Sequence, residues 1–253
     1  MSPLVISFIA FALIFGGVFL GAWLRNALPG HHLDDDAKDI IRLGAGLMAT
    51  IAALVLGLLI SSAKNSYDTQ RGQIRQITAN LVLLDRILAE YGPEARDSRE
   101  LLRRSVDPLI QRIWHRTGAG DSGTAPYEPL QDAEQAIAKV FALAPANDAQ
   151  ASLKAHAIQA TSDIAQVRLT QLQLAGDTIP GPFLAILIFW LTIIFASFSL
   201  FSRLNLTVVV VLLVFALSAS TALFLILEMD SPFSGLMQIS SAPLHNALAP
   251  LAQ

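Results

Sequence analysis

"IRLGAGLMATIAALVLGLLISSAKNSYDTQRGQIRQITANLVLLDRILAEYG", Ile41 to Gly92, decides the fold. Its first half, Leu43 to Ala63, contains no Asp, Glu, Lys or Arg. That is long enough for a helix of roughly 20 residues to cross a hydrocarbon core. Its second half places apolar residues at Tyr67, Ile74, Ile77, Leu81, Leu84, Leu88 and Tyr91, with polar Gln70 at one seam position. This is a seven-residue repeat with 3,4 spacing, the stripe by which one helix packs on others. No Pro or Gly cluster separates the halves. The stretch predicts one helix that leaves the bilayer without stopping, continues into a soluble bundle and ends at Gly92-Pro93.

Three more charge-free segments flank it: Met1 to Leu24, Thr178 to Ser202 and Leu204 to Leu227. The last two carry "FLAILIFWLTIIF" and "LTVVVVLLVFAL", and all three reach membrane-spanning length. The first lacks a basic leader and a clear cleavage site, so it reads as a retained anchor over about Pro3 to Leu24. Gly17 and Gly21 give it a GxxxG, which we assign to close packing within one subunit. "ALPG" breaks the chain at Pro29 and Gly30, and the second crossing runs from about Ile41 to Ser62.

Between the second and third crossings the pattern stays helical. A helix is expected from about Glu94 to His115, with Leu102, Val106, Leu109 and Ile113 on one face and Pro108 as a kink. "RTGAGDSGTAPYEP" lacks the GK[ST] of a phosphate loop and reads as a mobile tip. Helices over about Leu130 to Leu143 and Asp148 to Ala175 follow. The second has a seam of Leu153, Ala157, Ala160, Ile164, Val167, Gln171 and Leu174. "SSAPLHNALAPL" suggests a short helix at the membrane surface, capped by Ser241 with Pro243 in its first turn. The fold class is an all-α membrane protein: four transmembrane helices with a helical bundle inserted between the second and third. The divisions are 1–63 for the first two crossings, 64–180 for the bundle, 181–230 for the last two crossings and 231–253 for a C-terminal interfacial segment.

The composition agrees. Of 253 residues, 53% are hydrophobic and 15% charged, which lies on the membrane side of the soluble range. The formal charge of −3 offers no basic surface for nucleic acid. The absence of cysteine excludes disulfides, thiolate catalysis and Cys-ligated metals. No Walker, HExxH or GxSxG motif occurs, His115, His156 and His245 lack evident triad partners, and no cofactor or enzyme activity is expected. An even number of crossings puts both termini and the bundle on one side. Near the membrane, Lys64, Arg71, Arg75 and Arg168 on that side nearly balance Arg25, Lys38, Arg42 and Arg203 on the other, so charge barely orients the chain.

Two constellations are candidates for function. Gly46, Thr50, Ala53, Gly57, Ser61 and Lys64 share one face of the second crossing. Small residues permit close helix packing, and they also suit a pore wall. The face ends in polar groups and its helix runs on into the bundle, which favours the pore. The connector "GHHLDDDAKD" holds His31, His32, Asp34, Asp35, Asp36 and Asp39. Carboxylates at a helix start cap it and meet its dipole, which explains the aspartates without a ligand. In a ring of subunits the same residues would surround one mouth, where carboxylates attract cations and His adds a proton-dependent charge. The spacing matches no defined metal-ligand set, and whether the cluster takes metal or protons stays open. Arg25, Arg42 and Arg203 lie on that side and are candidates to anchor to phosphates or to pair with Asp35 or Asp39. At the other boundary Lys64 is a candidate partner for Glu228 or Asp230.

The order of two crossings, helical insert and two crossings resembles the bestrophin arrangement. More specifically, "PGHHL", "IRLGAGLMATIAALVLGLLISSAKNSYDTQ", "ANLVLLDRILAEYGPEA" and "ALSASTALFLILEMDSPFSGLMQISSAPL" resemble the bacterial bestrophin-like membrane family. The resemblance implies a homo-oligomer, by analogy a pentamer, in the cell membrane. Its partners would be lipid, inorganic ions and further copies of itself, with the second helix lining an ion path and the bundle and both termini cytosolic. The bestrophin neck pattern of large apolar residues and an acidic calcium clasp are not evident here, so neither anion selectivity nor calcium gating is carried over. The alternative is a non-conducting membrane-anchored scaffold or sensor whose bundle binds a partner or ligand.

Overall fold

The computed structural model describes residues 2–29, 35–116, 131–174, 179–202, 205–233 and 235–242, without the side chains of 112, 113, 115, 116 and 171–174. Among these residues there are seven α-helices and no strand: α1 (Pro3–Ala27), α2 (Asp35–Tyr91), α3 (Arg96–Arg116), α4 (Gln131–Ala142), α5 (Asp148–Leu174), α6 (Gly181–Phe201) and α7 (Leu206–Met229). A short 3₁₀ turn, Pro93–Ala95, precedes α3. α1, α2, α6 and α7 are each long and apolar enough to cross a membrane. α2 is the single helix the sequence predicts, 57 residues without interruption, and Gly92 ends it at φ 122°, a conformation that excludes a side chain. α3 continues through Pro108.

The chain divides into two compact units. The first is Met1–Ser66 with Thr178–Asp230. Its core joins Ala10, Ile14 and Val18 of α1 to Leu187, Ile194 and Phe195 of α6 and to Leu212, Ala216 and Leu223 of α7. Gly17 and Gly21 make the α1–α6 contact possible. A Cβ on Gly17 would sit 2.6 Å from the Thr192 carbonyl oxygen, and one on Gly21 would overlap the Ala196 backbone. The GxxxG is intrachain packing, as the sequence suggests. Polar groups lock the same contacts: the Ser220 hydroxyl donates to the Ser7 carbonyl at 2.7 Å. Among the described residues Arg25 forms no ion pair with Asp35 or Asp39. Its Nη1 donates to the Ser202 carbonyl at 2.8 Å, capping the free C-terminal end of α6.

The second unit is Tyr67–Asp177 with Ser231–Gln253. Ile77, Leu81, Leu84 and Leu88 of α2 are buried in one core with Ala157, Ala160 and Val167 of α5 and Leu102, Val106 and Leu109 of α3, and Ile164 packs against it. Ile74 is buried as well. At roughly 1.5–3 kcal/mol for each fully buried Leu or Ile, this stripe is what holds the bundle. The start of α5 is capped by side chains. Asn147 Oδ1 accepts from the Gln150 amide at 2.8 Å, Gln150 Oε1 accepts from the Ala146 amide at 2.8 Å, and Gln150 Nε2 donates to the Tyr91 carbonyl at the end of α2. The expected tip at 117–130 and the helix at Pro243 lie outside the described residues.

Candidate functional site

Within the first unit α2 stands apart from its neighbours. Met48, Ala49, Ala52, Leu56 and Leu59 touch the core, and Ala63 is buried on the same side, while much of the remaining apolar span is exposed. Only 6% of that span is buried, against 28–33% in the other three crossings. With about 100° between successive residues, Gly46, Thr50, Ala53, Gly57, Ser61 and Lys64 fall roughly a third of a turn away from the packed edge. All six are exposed, and a Cβ added at Gly46 or Gly57 would meet nothing within 4 Å. Intrasubunit packing, the bland explanation for small residues in a membrane helix, therefore does not account for this face. It does account for Gly17 and Gly21. The Thr50 hydroxyl donates to the Gly46 carbonyl at 3.0 Å, leaving its lone pairs to face outward.

A second open face lies beside the small one. Leu47, Leu54 and Leu58 are 66%, 65% and 71% exposed. α2 thus presents three strips in sequence around its circumference: packed, small and polar, then large and apolar.

At the start of α2, Asp35, Asp36 and Asp39 are exposed, and Asp35 meets Lys38 at 3.7 Å in a weak i,i+3 pair. The two acidic side chains of the first turn, Asp35 and Asp36, meet the helix dipole. His31, His32 and Asp34 lie outside the described residues, as does Arg203. Among the described residues no three His, Cys, Asp or Glu side chains gather into a metal-binding group. Arg42 is exposed and forms no salt bridge with Asp35 or Asp39.

At the opposite boundary the expected ion pair is absent. Lys64 is exposed, Glu228 is buried at the end of α7, and no salt bridge joins Lys64 to Glu228 or Asp230. Asp230 instead caps α7, and its Oδ2 accepts from the Ile179 amide at 3.4 Å. Burial raises the Asp230 carboxyl above the usual carboxylate range, and the Ile179 N–H pulls it partly back. Helical periodicity does not reveal which faces of two separate helices meet.

Three features of the second unit escaped the sequence reading. Asp85 is fully buried and accepts from Arg99 Nε and Nη2, both at 2.9 Å, and from Arg103 Nε at 3.1 Å. The signal was present: a carboxylate interrupting the Leu84–Leu88 stripe, and two arginines four residues apart on the next helix. Trp114 Nε1 donates to the Ile239 carbonyl at 2.6 Å, with its ring edge-on to Phe233, so the C-terminal segment is tied to α3. Gln73 is nine-tenths buried with its amide oxygen unpartnered.

No curated protein matches the chain. Among solved structures, a point mutant of a bacterial bestrophin homologue from Klebsiella pneumoniae is similar over 100% of both chains, with a TM-score of 0.66 at 16% identity, which is a likeness of fold. The Bestrophin-like domain family matches residues 12–244, nearly the whole span over which the four crossings and the bundle are laid out. The chain therefore belongs to the Bestrophin-like family.

Proposed function

We propose that copies of this chain assemble in the membrane into an ion channel, with α2 lining the axis. One observation carries the reading: the small, partly polar face from Gly46 to Ser61 is open on a helix whose companions are packed. In lipid alone such a face gains nothing from Gly, Thr and Ser. Around an axis it leaves a path, with a hydroxyl at Ser61 and a cation at Lys64 near one end. At the other end Asp35, Asp36 and Asp39, repeated in each copy and joined by His31, His32 and Asp34, form an acidic mouth that concentrates cations. Arg42, Glu228 and Asp230 mark the two membrane boundaries. The bundle (64–180) and both termini face the cytosol, 231–253 lies near the membrane surface, and the ring by family analogy has five copies.

Purified protein in a planar bilayer tests this. Unitary currents are expected, and a thiol reagent applied to Ser61→Cys should change them. The native chain, having no cysteine, should be indifferent to the reagent. An intact assembly that passes no current under any voltage would leave the membrane scaffold as the reading.

A further inference from the structure

A cavity of about 250 Å³ opens between α2 and α5, lined by Gln73, Gln76, Asp163, Gln166, Val167 and Thr170. It is unlike the rest of the seam, where apolar side chains meet. Gln73 follows the heptad stripe into the interior beside Ile74, yet its Oε1 has no hydrogen-bond partner. A buried amide oxygen without a hydrogen-bond partner is unfavourable and uncommon in folded proteins. An apolar residue there would leave no acceptor unpaired.

The remaining lining groups offer acceptors. Asp163 Oδ1 takes one hydrogen bond from Gln159 Nε2 at 2.8 Å, which leaves its second oxygen for a ligand. The Thr170 hydroxyl spends its proton on the Gln166 carbonyl at 3.0 Å and turns lone pairs outward. No Lys, Arg or His lines the cavity, while buried Val167 supplies an apolar wall. The site carries one negative charge and wants N–H or O–H donors. An anion is disfavoured on charge. A bare divalent ion is disfavoured on ligand count, because tight sites of that kind gather several carboxylates.

We propose that this cavity binds a small organic cation of the primary ammonium class. The ammonium donates to Gln73 Oε1 and to Asp163, and its carbon chain lies along Val167. The assignment stands on the bundle alone and is independent of conduction.

The test uses the full-length protein in detergent, with binding measured by calorimetry and no voltage applied. Propylammonium should bind saturably, once per chain. 1-Propanol and tetramethylammonium, which lack respectively the charge and the N–H donors, should not compete. Asp163→Asn should weaken binding at least tenfold, and so should Gln73→Leu, which removes the Oε1 acceptor. Thermal midpoint and particle mass confirm that each variant is folded; should Gln73→Leu fail to fold, Asp163→Asn decides alone. Undiminished affinity in Asp163→Asn, or no saturable binding to the native chain, overturns the proposal and leaves a water-filled gap. Displacement of propylammonium by calcium or potassium at lower concentrations overturns it in favour of a metal site. None of these outcomes touches the channel reading, which rests on other residues and on current.

Discussion

Gly16, Gly17 and Gly21 lie within two turns of α1 and differ in what a methyl group would meet. At Gly16 it meets nothing within 4 Å, and at Gly21 it meets the backbone of Ala196, which cannot rotate aside. Gly21→Ala should therefore push α1 from α6 and lower stability by about 1–3 kcal/mol. Gly16→Ala should be neutral or slightly stabilising, since alanine is the better helix former. Thermal midpoints of the two variants in one detergent separate them, and equal midpoints would remove the argument that the GxxxG is an intrachain contact. Asp230 gives a second single-residue effect, visible against pH. Burial raises its folded pKa above the ordinary 3.8. Such a carboxyl favours folding fully below its unfolded pKa and loses that contribution as pH rises through the folded one. Asp230→Asn removes the charge and keeps an acceptor for the Ile179 amide. Its midpoint should exceed that of the native chain at pH 7, and the gap should close by about pH 3.5, where both side chains are neutral. A gap of the opposite sign would mean that the carboxylate is held by a favourable charge.

Along α2 and its partners, apolar periodicity and charge make separate contributions. Leu84 is 3% exposed at the centre of the seam, and Leu84→Ala should cost on the order of 2–5 kcal/mol. Its neighbour Asp85 is the buried anion between Arg99 and Arg103. Removing one partner of a buried ion pair costs about 3–5 kcal/mol. Because both arginine side chains keep 30% of their surface, Asp85→Ala belongs at the lower end of that range. Asp97→Asn is the control. Its carboxyl meets Lys139 at 2.8 Å and is held below its usual pKa by that contact, but the pair is exposed and its loss should leave the midpoint unchanged. A midpoint drop for Asp97→Asn matching that for Asp85→Ala would show that burial does not govern these pairs. The seam itself was legible because a repeat of seven survives in one dimension, and α2 was legible as one helix because nothing between Ser61 and Tyr91 breaks it. The Asp85 cluster was not read, since its meaning depends on which turn of α3 faces Leu84. The small face of α2 was legible as a face. That it is open, when the equally small Gly17–Gly21 face is closed, depends on how α1, α6 and α7 fill one another's grooves, and no periodicity encodes that.

For the whole molecule, sidedness and assembly are the quantities that the single chain constrains least. The Lys and Arg nearest the membrane, four on each side, leave orientation to the family, so a reporter fused after Gln253 should be active only in the cytosol. Activity outside would place the Asp35–Asp39 mouth in the cytosol instead. Assembly can be argued further from α2. Its small strip and its leucine strip are both open, and they cannot share one fate in a ring. Leucines 65–71% exposed gain by packing against a neighbouring copy or lipid, while glycine, threonine and serine gain little there and suit a wetted axis. Single cysteines at Gly46, Thr50, Ala53, Gly57 and Ser61 should therefore react with small polar thiol reagents in the assembled protein. Those at Leu47, Leu54 and Leu58 should resist them, although in the lone chain both sets stand equally open. Detergent that splits the assembly should shift the leucine set without changing the protein's helicity, because that set is covered by copies and micelle rather than by its own fold. Gly57→Phe should obstruct current while particle mass stays that of the native ring. If the small strip resists labelling in every conducting condition and the leucine strip reacts, α2 is rotated from the orientation argued here, and the ion path runs along another surface.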